Sequence, residues 1–112
     1  MLTFLIIFYS LVGLLGLTLL ILKISGKKIK PVAGIIHGAA GLAGIALLIF
    51  YISFGKGDSL IITVLVFLFT FLIGGGMFSA VLFQKKYPVW ILVIHIISGI
   101  AGLAMLFGFW IK

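Results

Sequence analysis

Two histidines, His37 and His95, sit inside long apolar stretches of this chain. An imidazole is neutral near pH 7, binds metals through either ring nitrogen and can pass a proton. Ionisable groups at membrane depth are rare and costly, so their default reading is functional. Their surroundings repeat. From His37 the chain reads HGAAGLAGIALL and from His95 it reads HIISGIAGLAML, giving the shared frame H-x-x-x-G-x-A-G-x-A-x-L. Each copy follows a lysine-containing turn that ends in proline, KKIKPV and KKYPVW. Two equivalent imidazoles in equivalent frames point to a shared ligand, with proton relay or simple hydrogen bonding as the alternatives.

The elements that must hold these rings are membrane helices. The 112 residues are 65% hydrophobic and 8% charged, whereas soluble domains are about half apolar and about a quarter charged. Four apolar runs, at residues 2–22, 31–54, 59–83 and 88–111, are each long enough to cross a hydrocarbon core that takes about 20 helical residues. The expected fold is therefore all-α: an integral membrane four-helix bundle forming one transmembrane domain over residues 1–112. The first run has no basic residue before it and no small-residue cleavage pattern after it, so it is expected to be a retained helix. Short connections at 23–30, 55–58 and 84–87 imply antiparallel neighbours and an up-down-up-down order. Gly26 and the Gly55–Lys56–Gly57 turn are expected helix stops, and Pro31 and Pro88 expected helix starts.

The net charge of +7 comes from lysines in turns. Lys23, Lys27, Lys28 and Lys30 lie between the first two runs, and Lys85 and Lys86 between the last two. Lys56, Asp58 and Lys112 lie at the other end. Positive-inside charge places the lysine-rich turns in the cytoplasm and both termini outside, as in a multi-pass protein of a bacterial inner membrane. Nucleic acid is not an expected partner, because the lysines mark topology and reach anionic lipid instead of lining a face. The absence of cysteine removes disulfides and thiolate ligands.

The two histidine frames are offset by 58 residues (95 − 37 = 58). This spacing predicts two tandem two-helix repeats related by an axis along the membrane normal. At a rise of about 1.5 Å per residue, His37 lies about 10 Å from Lys30 and His95 about 13 Å from Lys86. Gly16 and Gly75 fall at similar depth on the first and third helices. Two imidazoles from diagonal helices, with glycines on the other two, suit one flat cofactor. Haem b is the expected one, with His37 and His95 as iron ligands and Gly13, Gly16, Gly41, Gly75 and Gly99 beside the macrocycle. The inner lysines could neutralise its propionates.

This layout resembles the four-helix core of b-type cytochromes, with histidines on helices two and four and glycines on one and three. The resemblance implies axial roles for His37 and His95, with Gly13 or Gly16 and Gly74–Gly76 as the porphyrin-contacting glycines. The chain departs from that family in having one histidine per helix, so at most one haem fits. It also lacks a quinol-site motif and arginines for the propionates.

Other readings remain open. Gly34, Gly38, Gly41, Gly44, Gly99 and Gly102 could be small-residue packing seams. The three consecutive glycines Gly74–Gly76 cost helix propensity, so close packing, a kink or a ligand must compensate. Zinc would need two more ligands. No nucleophile–base–acid set is visible, so catalysis by this chain alone is not expected. The leading expectation is an electron-transfer subunit working with other membrane subunits or as a homo-oligomer. The second is a cofactor-free accessory or assembly subunit. A small transporter ranks third, because small multidrug exporters need a buried acid in their first helix and none is present.

Overall fold

Each apolar run is helical in the computed structural model, which describes residues 1–55 and 58–112. Helix α1 spans Leu2–Ile24, α2 Pro31–Ser53, α3 Ile61–Leu82 and α4 Val89–Trp110, with one 3-10 turn at Asp58–Leu60 ahead of α3. All four are long and apolar enough to cross a membrane, with mean hydropathies of 2.6, 2.1, 2.4 and 2.3. The longest dimension of the molecule is 43 Å, which matches a bilayer of about 40–45 Å including its headgroups. Helix α1 packs on α2, α2 on α3, α3 on α4, and α4 closes back on α1.

Local chemistry explains the helix ends. Lys30 and Pro88 are the extended residues ahead of α2 and α4. Pro31 takes the first position of α2, where a missing N–H breaks no helical bond. Helix α1 ends in a Schellman motif: the N–H of Gly26 donates to the Lys23 carbonyl, and that of Lys27 to Leu22. Helix α3 ends the same way, with Gln84 donating to Val81 and Lys85 to Ala80. Gly26 adopts φ +73° and Gln84 φ +56°. Gly55 is also left-handed, at φ +75°; Lys56 and Gly57, the rest of that expected stop, lie outside the described residues.

Gln84 thus holds a conformation that costs a side chain about 1–2 kcal/mol, offset by the roughly 0.5–1 kcal/mol that glycine loses in ordering. Gln84→Gly is expected to stabilise the bundle by about 0.5–1 kcal/mol. Equilibrium unfolding in mixed micelles titrated with sodium dodecyl sulfate measures this, and a lower midpoint would contradict it.

The four faces of the bundle present apolar side chains outward along their whole length. On α1, Phe4, Ile7, Leu11, Leu14, Leu17 and Ile21 are all at least half exposed, at the three- and four-residue steps of one helical face. Water would not tolerate such a surface; hydrocarbon does. The inward stripe is narrower and lies towards one end. Leu5, Ile6, Tyr9, Ile45, Leu48, Leu60, Phe67 and Leu106 form one buried cluster. All belong to the halves of their helices remote from the lysine-rich turns. In the lysine-proximal half only Met77 among the described residues is a buried hydrophobe. The bundle is packed hard at one end and thinly at the other.

Side-chain ties close both ends. The Trp110 indole N–H donates to Thr3 Oγ1 at 3.1 Å. At the other end Lys23 Nζ donates to the Tyr87 hydroxyl, and the same ammonium lies 4.1 Å from that ring's centroid, within cation–π range.

Candidate cofactor-binding site

His37 and His95 meet in the thinly packed half. Their ring centroids are 6.3 Å apart and their planes cross at 75°. Each ring enters the bundle because a neighbouring helix carries glycine opposite it. A Cβ on Gly16 of α1 would lie 2.8 Å from His37 Cε1 and 3.3 Å from Nε2. A Cβ on Gly74 of α3 would lie 2.7 Å from His95 Cε1 and 3.2 Å from Nδ1. These separations are shorter than carbon atoms accept, so both positions require glycine for these ring placements. The two pairs share one spacing, since 16 + 58 = 74 and 37 + 58 = 95.

The same spacing recurs one layer deeper. Tyr9 fills the space over Gly44, where a Cβ would lie 2.9 Å from Tyr9 Cζ, and Phe67 fills it over Gly102, at 2.7 Å from Phe67 Cε1. Tyr9 and Phe67 stack on each other with centroids 4.1 Å apart and planes within 7°. The Tyr9 hydroxyl is buried with no hydrogen-bond partner among the described residues, and its counterpart Phe67 (9 + 58 = 67) has no hydroxyl at all. An unpaired buried donor costs about 1–3 kcal/mol. Tyr9→Phe is therefore expected to raise stability by about 1 kcal/mol or more. The same detergent titration reads it, and a destabilised variant would show that the hydroxyl is bonded in the membrane.

The two histidines differ in support. His95 Nδ1 lies 2.9 Å from the Thr70 carbonyl oxygen. A carbonyl only accepts, so Nδ1 carries the proton and Nε2 presents a free lone pair. The Thr70 segment is held in turn: Thr70 Oγ1 and Ser98 Oγ are 2.7 Å apart, and Ser98 Oγ donates to the His95 carbonyl at 3.1 Å. His37 Nδ1 is buried with no hydrogen-bond partner among the described residues. The nearby Val12 carbonyl falls outside hydrogen-bonding geometry. Val12 and Ala40 occupy the places that Thr70 and Ser98 hold around His95 (12 + 58 = 70, 40 + 58 = 98), and neither can form the hydroxyl bridge.

The five glycines expected beside a cofactor are distributed differently. Gly16 faces a histidine ring, whereas a Cβ on Gly13, Gly41 or Gly75 would have nothing within 4 Å, and one on Gly99 would meet only Thr70 Cγ2 at 3.5 Å. Gly74, not Gly75, is the residue of the glycine triplet that meets His95. Applying the 58-residue offset to Gly16 would have singled it out. Of the seam glycines, Gly44 and Gly102 accept aromatic rings as described. Gly34 accepts Phe78, whose ring carbons would lie 2.9 Å from a Cβ there. Thr70 was not anticipated; its signal is a hydroxyl one helical turn before Gly74, in a helix whose other hydroxyls, Thr63 and Ser79, lie nearer its ends.

Among the described residues, no third His, Cys, Asp or Glu joins the pair. A metal held here would have two ligands of these residue types. Comparison with protein-family models, with curated proteins and with solved structures finds no match to this chain.

Proposed function

We propose that this chain is a small b-type cytochrome subunit of a bacterial cytoplasmic membrane, holding one haem b between His37 and His95 for electron transfer. The carrying observation is the ring pair: imidazoles from α2 and α4 with centroids 6.3 Å apart. Two metal–nitrogen bonds of about 2.0 Å each, added to the two ring radii, span about that distance. The donor set also suits the group, because two imidazoles complete an iron whose other four ligands are porphyrin nitrogens. Bound haem would supply a one-electron couple whose potential its two ligands and their hydrogen bonds set.

The chain's own residues would do the rest. His95, with its Nδ1–H bonded to Thr70, would present Nε2 to iron, as metal-ligating histidines generally do. Gly16 and Gly74 admit the two rings. Lys27, Lys28, Lys30, Lys85 and Lys86 at the inner turns would neutralise propionates. The sparse packing of the lysine-proximal half leaves the histidine layer as the place where a flat group can separate the helices without disturbing the main core.

The same reading includes the arrangement of the chain: an up-down-up-down bundle of two tandem two-helix units, with both termini outside and the lysine-rich turns in the cytoplasm. The recurring 58-residue spacing of the Gly–His contacts, the Gly–aromatic contacts and the Schellman motifs supports the two-unit description. The Trp110–Thr3 and Lys23–Tyr87 ties, at opposite ends of α1 and α4, support antiparallel neighbours. A single haem in the inner half cannot carry electrons across the whole bilayer, so the partners are other membrane subunits or further copies of the chain.

The test is a dithionite-reduced minus oxidised visible spectrum of detergent-purified protein expressed with ample haem, with a pyridine haemochrome assay. Sharp α and Soret bands at about one haem per chain are expected. A flat spectrum would overturn the proposal and leave a cofactor-free accessory subunit as the better reading.

A further inference from the structure

The lysine-rich end of the bundle carries a charge that no carboxylate side chain there can answer. Lys23, Lys27, Lys28, Lys30, Lys85 and Lys86 are all exposed, and the only acidic residue of the chain, Asp58, precedes α3 at the opposite end. These ammonium groups share one end of a molecule whose shorter dimensions are 22 and 19 Å. With a Debye length of about 8 Å at physiological salt, cations crowded into that area repel one another unless an anion lies among them.

Four of the lysines form two equivalent pairs. Lys27–Lys28 and Lys85–Lys86 hold the same places in the two units (27 + 58 = 85, 28 + 58 = 86). Each pair follows the left-handed residue of a Schellman motif, Gly26 or Gln84. The N–H of its first lysine donates to a helix carbonyl, Lys27 to Leu22 at 3.0 Å and Lys85 to Ala80 at 2.8 Å. Lys23 bonds the Tyr87 hydroxyl, which holds the second turn against the end of α1. Both pairs therefore belong to one face. Beside each pair the chain bares apolar side chains: Ile24, 76% exposed, comes shortly before Lys27, and Phe83, 72% exposed, shortly before Lys85. Fixed cations next to bare apolar groups match a molecule with an anionic head and hydrocarbon tails.

We propose that each lysine pair binds the phosphate headgroup of an anionic phospholipid, one lipid at each turn, with its acyl chains against Ile24 or Phe83. The ammonium groups donate charge-assisted hydrogen bonds to the phosphate oxygens. An acidic protein surface would use the same charges but leave the apolar side chains bare. Near an anionic surface each lysine is worth about five-fold in affinity, so a pair is worth about 25-fold. The inference stands on the lysine face alone and does not rest on the haem reading.

The experiment titrates detergent-purified full chain with phosphatidylglycerol or phosphatidylcholine and counts bound lipids by native mass spectrometry. Purified protein is used because removing lysines in cells also acts on the orientation of insertion. Phosphatidylglycerol is expected to bind once at each turn, about 25-fold more tightly than phosphatidylcholine. Lys27→Gln/Lys28→Gln and Lys85→Gln/Lys86→Gln should each lose one of these lipids, and the four-fold variant both. Lys85→Arg/Lys86→Arg should keep both, because charge is what the headgroup meets.

Equal binding of the two lipids would overturn the inference and leave the lysines to an acidic protein partner or to topology alone. Undiminished phosphatidylglycerol binding by the four-fold glutamine variant would also overturn it. So would displacement of the lipid by millimolar inorganic phosphate, which would make the turns sites for a free anion. None of these results alters the haem spectrum that tests the reading above.

Discussion

On the haem reading, Gly74→Ala protein is expected to retain about ten-fold less haem than wild type at equal expression, and Gly16→Ala to show a smaller loss, because both lodge a methyl group against an imidazole proposed as a ligand. On Gly74 the new carbon would stand 2.7 Å from His95 Cε1 and 3.2 Å from Nδ1. The histidine ring is rigid and is anchored at Nδ1 by the Thr70 carbonyl. It can yield only by rotating out of that bond or by pushing α3 and α4 apart. Either movement misaims Nε2. On Gly16 the intruding carbon would be 2.8 Å from His37 Cε1, but that ring has no bond at Nδ1 to lose, so its defect is expected to be the smaller of the two.

Gly76→Ala is the matched control. It lies on the same helix, and a Cβ there has nothing within 4 Å. Alanine should cost nothing at Gly76 and gain up to about 1 kcal/mol of helix propensity. Haem content by pyridine haemochrome, with unfolding midpoints alongside, separates the cases. Equal haem retention in Gly74→Ala and Gly76→Ala would show that the imidazoles do not hold the cofactor in this placement.

Leu106→Ala and Leu48→Ala are each expected to destabilise the bundle by about 2 kcal/mol or more. Both side chains are fully buried, at 0% exposure, in the cluster around the Tyr9–Phe67 stack. In a soluble protein such truncations cost about 2–5 kcal/mol, part of it the return of apolar surface to water. In a bilayer that part is nearly absent, because lipid tails are as apolar as leucine. What remains is lost dispersion and the cavity itself, so the lower end of the range applies. Leu11→Ala supplies the comparison, since Leu11 is 60% exposed and loses lipid contacts that lipid can restore. Unfolding titrations in mixed micelles would expose an error here as equal midpoints for Leu106→Ala and Leu11→Ala.

The helices and the histidine pair are legible in the residues because their signals are strong: four long apolar runs, turns rich in lysine and glycine, and a repeated frame around each histidine. The position of the core is not. Leu5 is fully buried and Leu11 mostly exposed, yet they are the same residue type in the same apolar helix. In a soluble bundle polar residues would mark the outer face. Here lipid outside and protein inside make the same demand on residue type, so periodicity carries no direction. Glycine is equally silent about its purpose: Gly74 and Gly75 are adjacent, and only the packed geometry separates a ring slot from an open surface. The Thr70–Ser98 bridge escapes sequence reading for a different reason. It joins residues on separate helices, and its effect on His95 runs through a backbone carbonyl, which every residue possesses.

The stacking of Tyr9 on Phe67 and the facing of His37 with His95 bear on ancestry. A free two-helix segment pairing with an identical copy about an axis would bring its aromatic residue and its histidine against their own duplicates, as these pairs now meet within one chain. Such a self-paired ancestor must accept every mutation twice. Joining two copies end to end would lift that constraint; among the many positions at which the halves now differ, Val12 against Thr70, Ala40 against Ser98, Gly13 against Phe71 and Tyr9 against Phe67 belong to the neighbourhood of the histidine and aromatic pairs. On this view covalent linkage gave evolution the freedom to make the two sides of one symmetric pocket unlike.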